Sequence, residues 1–93
     1  MAELDVDIPD GLRGGAYANG IFAWYTAHEF TLDFIAVDSP PGEDSEVLRC
    51  TVTSRVRIPV TLIFELIRTL NEEMTRYENA FGEIPPSQRR DSE

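Results

Sequence analysis

The residues that could do chemistry are few: His28 beside Glu29, the lone Cys50, the glycine-rich run GLRGGAYANG at 11–20, and the arginines Arg49, Arg55 and Arg57. On an extended strand His28 and Glu29 point to opposite faces, so they do not form a preassembled acid and base. A structural or loop role for His28 is the plainer reading. Cys50 falls in an alternating row with Leu48 and Val52, which predicts a core position, where a thiol is usually inert. One cysteine with one histidine excludes an internal disulfide framework and a zinc site of the usual kind. The glycine-rich run lacks the lysine and the strand-before-helix setting of a phosphate cradle, and neither a Walker loop, a dinucleotide fingerprint nor a calcium-loop spacing occurs. No catalytic residue, cofactor site or metal site is therefore assigned, and enzymatic activity is not expected.

Arg49, Arg55 and Arg57 concentrate positive charge, without any acid, between Val47 and Ile58. Placed together on one strand face, they could contact a phosphate backbone or an acidic peptide. The competing reading is compensation within the protein by Asp33 on a neighbouring strand, by the acidic loop, or by the acidic start of the chain. A nucleic-acid reader should also interleave aromatics with its cations, and here the aromatics sit on other segments. Phe22 and Trp24 share one strand face while Tyr25 takes the other. At least one large aromatic thus lies on the side not facing the helix, where it serves either as core or as interface.

These side chains need elements to position them. Leu4, Val6 and Ile8 alternate with acids, the pattern of a short edge strand or a tail, before Pro9, Asp10 and Gly11 break it. Tyr17 to Thr26 is aromatic and β-favouring, although Asn19 and Gly20 could instead make a tight hairpin turn. Phe30, Leu32, Phe34 and Ala36 fall on one face of the next strand. Ser39 to Ser45 reads as a turn or mobile loop. In the third main strand Leu48, Cys50, Val52, Val56 and Ile58 are inward, with Arg49, Thr51, Thr53, Arg55 and Arg57 outward. Pro59 suits a first helical position, and a helix is expected from there to Phe81. Its stop is marked by Gly82, in the left-handed cap conformation, then by Ile84, Pro85 and Pro86.

That helix carries the most informative spacing. Ile63, Ile67, Leu70, Met74, Tyr77 and Phe81 follow one another at intervals of four, three, four, three and four, a seam with a period of 3.5. Val60, Leu62, Phe64 and Leu66 carry apolar surface around nearly the whole circumference of the first half. Such a helix must be covered on more than one side, and the rest of the chain is short of material. The second half is amphipathic, with Glu72 and Arg76 spaced for a helical ion pair.

Size sharpens the point. The chain has 93 residues, 17 acids, 8 bases and a net charge of −9, with 42% hydrophobic residues, the proportions of a small acidic globular protein. About 70 residues remain once the charged ends are set aside, and domains of that size bury only roughly 60% of their unfolded surface. The first ten residues lack the n-region and h-region of a secretory signal, and no apolar run approaches the length needed to cross a bilayer, so a cytoplasmic location and no membrane contact are expected. All eight bases are arginine. The net charge repels nucleic acid at long range.

The order EFTLDF at Glu29 to Phe34, SRV at Ser54 to Val56, Pro59, and RYENAFGEI at Arg76 to Ile84 resembles the short bacterial family known as domain of unknown function 3467, over roughly residues 3–84. YAN at Tyr17 to Asn19 also resembles that family's early strand. The chain departs from the family pattern at Ile58, where a small capping residue is expected, and around Thr61, where a base is expected. The resemblance implies a fold and no cofactor, and it brings no catalytic residues. Strands followed by a long C-terminal helix are also similar in architecture to the export chaperone SecB, without any shared motif.

Together these readings predict an α+β fold, an antiparallel meander of three or four strands followed by one long C-terminal helix that packs on the sheet and on a second subunit. The expected organisation is an acidic N-terminal segment at 1–12 with a short edge strand as one option, a single α+β domain at 13–84, and a disordered tail at 85–93. The expected role is a non-catalytic interaction module forming a homo-oligomer, dimer or higher, with a further protein partner. Its interface candidates are Val60, Ile63, Phe64, Leu66, Ile67, Leu70 and Met74. The alternatives are a SecB-like binder of extended polypeptide, and a nucleic-acid binder acting through Arg49, Arg55 and Arg57.

Overall fold

A computed structural model describes residues 3–37 and 49–86. Its element order is a 3-10 turn at Asp10–Leu12, strand β1 at Gly20–Tyr25, β2 at Glu29–Val37, β3 at Cys50–Pro59, a second 3-10 turn at Val60–Leu62, and helix α1 at Ile63–Phe81. The three strands form an antiparallel sheet in the order β1-β2-β3, so the fold is α+β with a C-terminal helix. The chain divides into two compact units, Met1–Val60 and Thr61–Glu93. The Ser39–Ser45 loop, Leu48 and the tail from residue 87 lie outside the described residues.

In the first unit β2 is the central strand, paired with β1 from Gly20↔Ile35 to Tyr25↔Phe30 and with β3 from Glu29↔Pro59 to Val37↔Cys50. The turn between β1 and β2 is held by Thr26, whose hydroxyl accepts the backbone N–H groups of His28 and Glu29 at 3.1 and 3.2 Å. Such local side-chain bonding is a standard use of threonine in turns. Phe30, Leu32 and Phe34 share a face with Val56 and Ile58, as the alternation predicts, and Leu32 and Ile58 are buried there. On the other face Ile35 is the most deeply buried side chain of the described residues.

Several local expectations need correction. Of the two options for Leu4, Val6 and Ile8, the edge strand does not form, and all three side chains are exposed. β1 starts at Gly20 rather than Tyr17, and Asn19 makes no hairpin turn. Instead its amide N–H donates to the Ile35 carbonyl at 2.9 Å, and its side-chain oxygen accepts the Val37 N–H at 2.8 Å. The alternation of β3 is interrupted. Ser54 pairs with Phe34 and Val52 with Ile35, so Thr53 is an extra residue, a β-bulge. Beyond it Cys50 and Val52 move to the face of Arg55 and Arg57, and Cys50 is exposed instead of buried.

Pro59 ends β3 opposite Glu29 rather than starting the helix. A proline fits that place because it sits at the end of an edge strand, where no ladder donor is missed. Val60 accordingly belongs to the short 3-10 turn, and its N–H donates to the His28 carbonyl at 3.2 Å.

In the second unit α1 closes on Gly82, whose N–H donates to the Glu78 carbonyl at 2.9 Å. Its φ of 101° and ψ of 178° are not the left-handed cap that the sequence suggests, but an extended region open essentially to glycine alone. The Glu78 carboxylate then accepts the Ile84 N–H at 3.1 Å, fastening the chain back on the last turn. Arg76 pairs with Glu73, three residues before it, and not with Glu72. Among the described residues no helix is long and apolar enough to cross a membrane.

Candidate functional site

The register sets Arg55 directly opposite Asp33 and Arg57 opposite Thr31, with Glu29 one step diagonally along. Antiparallel neighbours opposite one another point to the same face, so these side chains converge with Phe22 and Trp24 of β1, which face Asp33 and Thr31. Asp33 is only 3% exposed, and it is the only buried charged residue among those described. Arg55 satisfies both of its carboxylate oxygens, Nε to Oδ1 at 2.7 Å and Nη2 to Oδ2 at 2.8 Å. This fork-on-fork pairing is the strong form of a charge-assisted hydrogen bond. Arg57 makes the same arrangement with Glu29 at 2.8 and 3.2 Å, in a more exposed position.

The electrostatics follow from these pairs. The hydrogen bonds from Arg55 hold the Asp33 carboxyl below its ordinary range, against the opposing effect of desolvation, and those from Arg57 do the same for Glu29. Each guanidinium is pushed up in return, chiefly by the hydrogen bond to its carboxylate. The Arg55 guanidinium also lies over the Trp24 ring, 5.3 Å from its centroid.

Trp24, Thr26, His28, Glu29, Thr31, Arg55 and Arg57 together line a shallow depression of about 380 Å³. Its floor is an ion-paired lattice rather than a set of free cations. Both cations are engaged with carboxylates of the same sheet.

Of the arginines singled out in the sequence, the sheet joins Arg55 with Arg57 and leaves Arg49 before the strand, past the bulge. Thr51, expected beside them, pairs with Ala36 and takes the opposite face. The expected separation of Phe22 and Trp24 from Tyr25 holds, and Tyr25 stacks at a tilt on Phe30, 6.1 Å between centroids. Glu29 is the partner that sequence reasoning did not supply. Its even spacing from Asp33 places it on the same face, and the register then sets it diagonally beside Arg57. His28 lines the depression from the turn between β1 and β2. Among the described residues no group of three His, Cys, Asp or Glu side chains is placed to hold a metal ion.

In the second unit the 3.5-residue seam lies along α1, which has no buried residue. Ile67, Leu70, Met74, Tyr77 and Phe81 are all exposed, Phe64 is 81% exposed, and Ile63 and Leu66 are half-buried. Tyr77 and Phe81 stack one turn apart, 5.0 Å between centroids. With Leu70, Met74 and Ile84 they line a shallow apolar groove along the last turns of the helix.

The family described as "Protein of unknown function (DUF3467)" matches residues 2–85 of this sequence. The chain belongs to that family. No curated protein and no solved structure matches.

Proposed function

We propose that this member of the family is a non-catalytic, cytoplasmic interaction module that assembles with further copies of itself through α1 and presents the assembled surface to another protein. The observation that carries this reading is the seam of Ile63, Ile67, Leu70, Met74, Tyr77 and Phe81 on a helix without a buried residue. These spacings keep one apolar stripe along the length of the helix, and such a stripe needs a counterpart to cover it. An identical helix supplies that counterpart. Phe64 and Leu66 widen the stripe on its N-terminal half, while Ile84 extends it at the C-terminal end.

Sedimentation of the full chain tests the reading. The native mass should be a multiple of the chain mass of 10.5 kDa. Leu70→Glu in the seam, and Phe64→Glu at its margin, should each move the protein toward single chains or into insoluble material. A single-chain mass for the native protein, or assembly untouched by Leu70→Glu, would count against α1 as the interface.

A second reading, binding of extended polypeptide, draws on the exposed side chains of Phe22, Trp24 and Tyr25 beside the depression. It requires that the assembled protein suppress aggregation of an unfolded client. Nucleic-acid binding is less well supported, because Arg55 and Arg57 already hold carboxylates, which any phosphate would have to displace.

A further inference from the structure

A three-stranded sheet has two edges, and these two differ. The outer edge of β3 carries the devices that block strand pairing: the bulge at Thr53, charged side chains at Arg55 and Arg57, and Pro59, which lacks an N–H. β1 carries none of them. Its sequence GIFAWY has no proline, charge or bulge, and it lies within a stretch from Gly14 to Ala27 without a single charged residue, in a chain that is 27% charged.

The polarity of the open groups follows from the register. Thr26 N–H donates to the Glu29 carbonyl, and these two residues continue the β1–β2 ladder. Hydrogen-bonded pairs alternate, so Trp24 and Phe22 direct their backbone groups to β2, whereas Ile21, Ala23 and Tyr25 direct theirs outward. Among the described residues no backbone hydrogen bond outside the sheet reaches Ile21, Ala23 or Tyr25. An open row of donors and acceptors flanked by exposed Ile21, Phe22, Trp24 and Tyr25 is a template for another strand.

The geometry points to β1 of a second copy as the occupant, paired antiparallel about a two-fold axis at Ala23, so that two three-stranded sheets join into one. Charge restricts where copies can meet. Copies with a net charge of −9 repel one another, and the cost is least where the meeting surfaces carry no charge, as along the Gly14 to Ala27 stretch. The register is self-consistent as well. With Ala23 on the axis, the outward groups of Ile21 and Tyr25 meet those of the partner's Tyr25 and Ile21. Trp24 then comes opposite the partner's Phe22, keeping aromatic beside aromatic on the face of the Asp33–Arg55 pair.

This pairing rests on the self-assembly reading but uses a surface other than α1, so the two can fail separately. Amide hydrogen exchange on the full-length protein tests it. At concentrations where the mass exceeds one chain, the amides of Ile21, Ala23 and Tyr25 should exchange more slowly, by roughly an order of magnitude or more, than after dilution to single chains. Ala23→Pro removes an outward N–H without removing a bond to β2, and its φ suits an extended edge. It should free Ile21 and Tyr25 while leaving Phe22 and Trp24 protected. Freely exchanging Ile21, Ala23 and Tyr25 amides in an assembly of native mass would overturn the pairing and leave the α1 reading in place. Protection that persists in single chains or in the Ala23→Pro assembly overturns it too, and a single-chain mass at every concentration overturns both.

Discussion

Asp33 is the residue on which the charged face turns, because it is the only buried charge described and depends on a single cation for compensation. With Asp33 and Glu29 both held below the usual carboxylate range by their arginines, the folded state binds fewer protons than the unfolded one through the acid region. Their stabilising effect is fully present above the unfolded carboxyl values of about 4, and it disappears as pH falls through the lower folded values. The midpoint of thermal unfolding should therefore rise with pH across that window. Asp33→Asn should flatten the rise and lower the plateau more than Glu29→Gln does, since the Glu29 side chain is 35% exposed and its pair is screened by solvent. Equal plateaus for the two variants would contradict this ranking. Cys50 makes a separate test. The even spacing of Leu48, Cys50, Val52 and Val56 reads as one buried row, and an inserted residue leaves no mark in such a pattern, so the exposure of Cys50 was not legible in the sequence. A thiol reagent should titrate it completely in the folded protein without denaturant.

At the scale of elements, local signals carried well and junctions did not. The strand identities of β2 and β3 were legible because Phe30, Leu32 and Phe34 alternate with polar neighbours, and Val56 and Ile58 do likewise. The ion-paired face was half legible, since Asp33 could be set against the arginines while Glu29 depended on a register that no single strand states. The start of α1 is not legible because Pro59 fits an edge-strand terminus as well as a first helical turn. The stop was legible in Gly82 because its cause is local. A Cβ at Gly82 would meet no heavy atom within 4 Å, so any penalty there comes from the backbone angle alone. Gly82→Ala should then cost about 1–3 kcal/mol, the usual range for forcing a side chain into a sparsely populated region. Urea unfolding at fixed chain concentration measures it. A midpoint equal to that of the native protein would mean that the helix end relaxes to another conformation without penalty.

For the whole molecule, the decisive quantity is the sign of the salt dependence. A chain with a net charge of −9 that binds its own copies works against its charge, so its contacts must be apolar or uncharged backbone. Raising ionic strength from 0.1 to 1 M shortens the screening length from about 10 to about 3 Å, which weakens that repulsion and leaves burial of Ile67, Leu70 and Met74 intact. Self-association through α1 or β1 should consequently tighten several-fold over this range. A nucleic-acid complex through Arg55 and Arg57 behaves in the opposite way. Displacing the counterions of two phosphates would weaken it by roughly two orders of magnitude over the same tenfold change. Sedimentation equilibrium at both salt concentrations, with and without a short duplex, separates the two by direction alone. Dissociation constants that rise with salt would mean that the copies are held by ion pairs, and the apolar seam would no longer account for assembly.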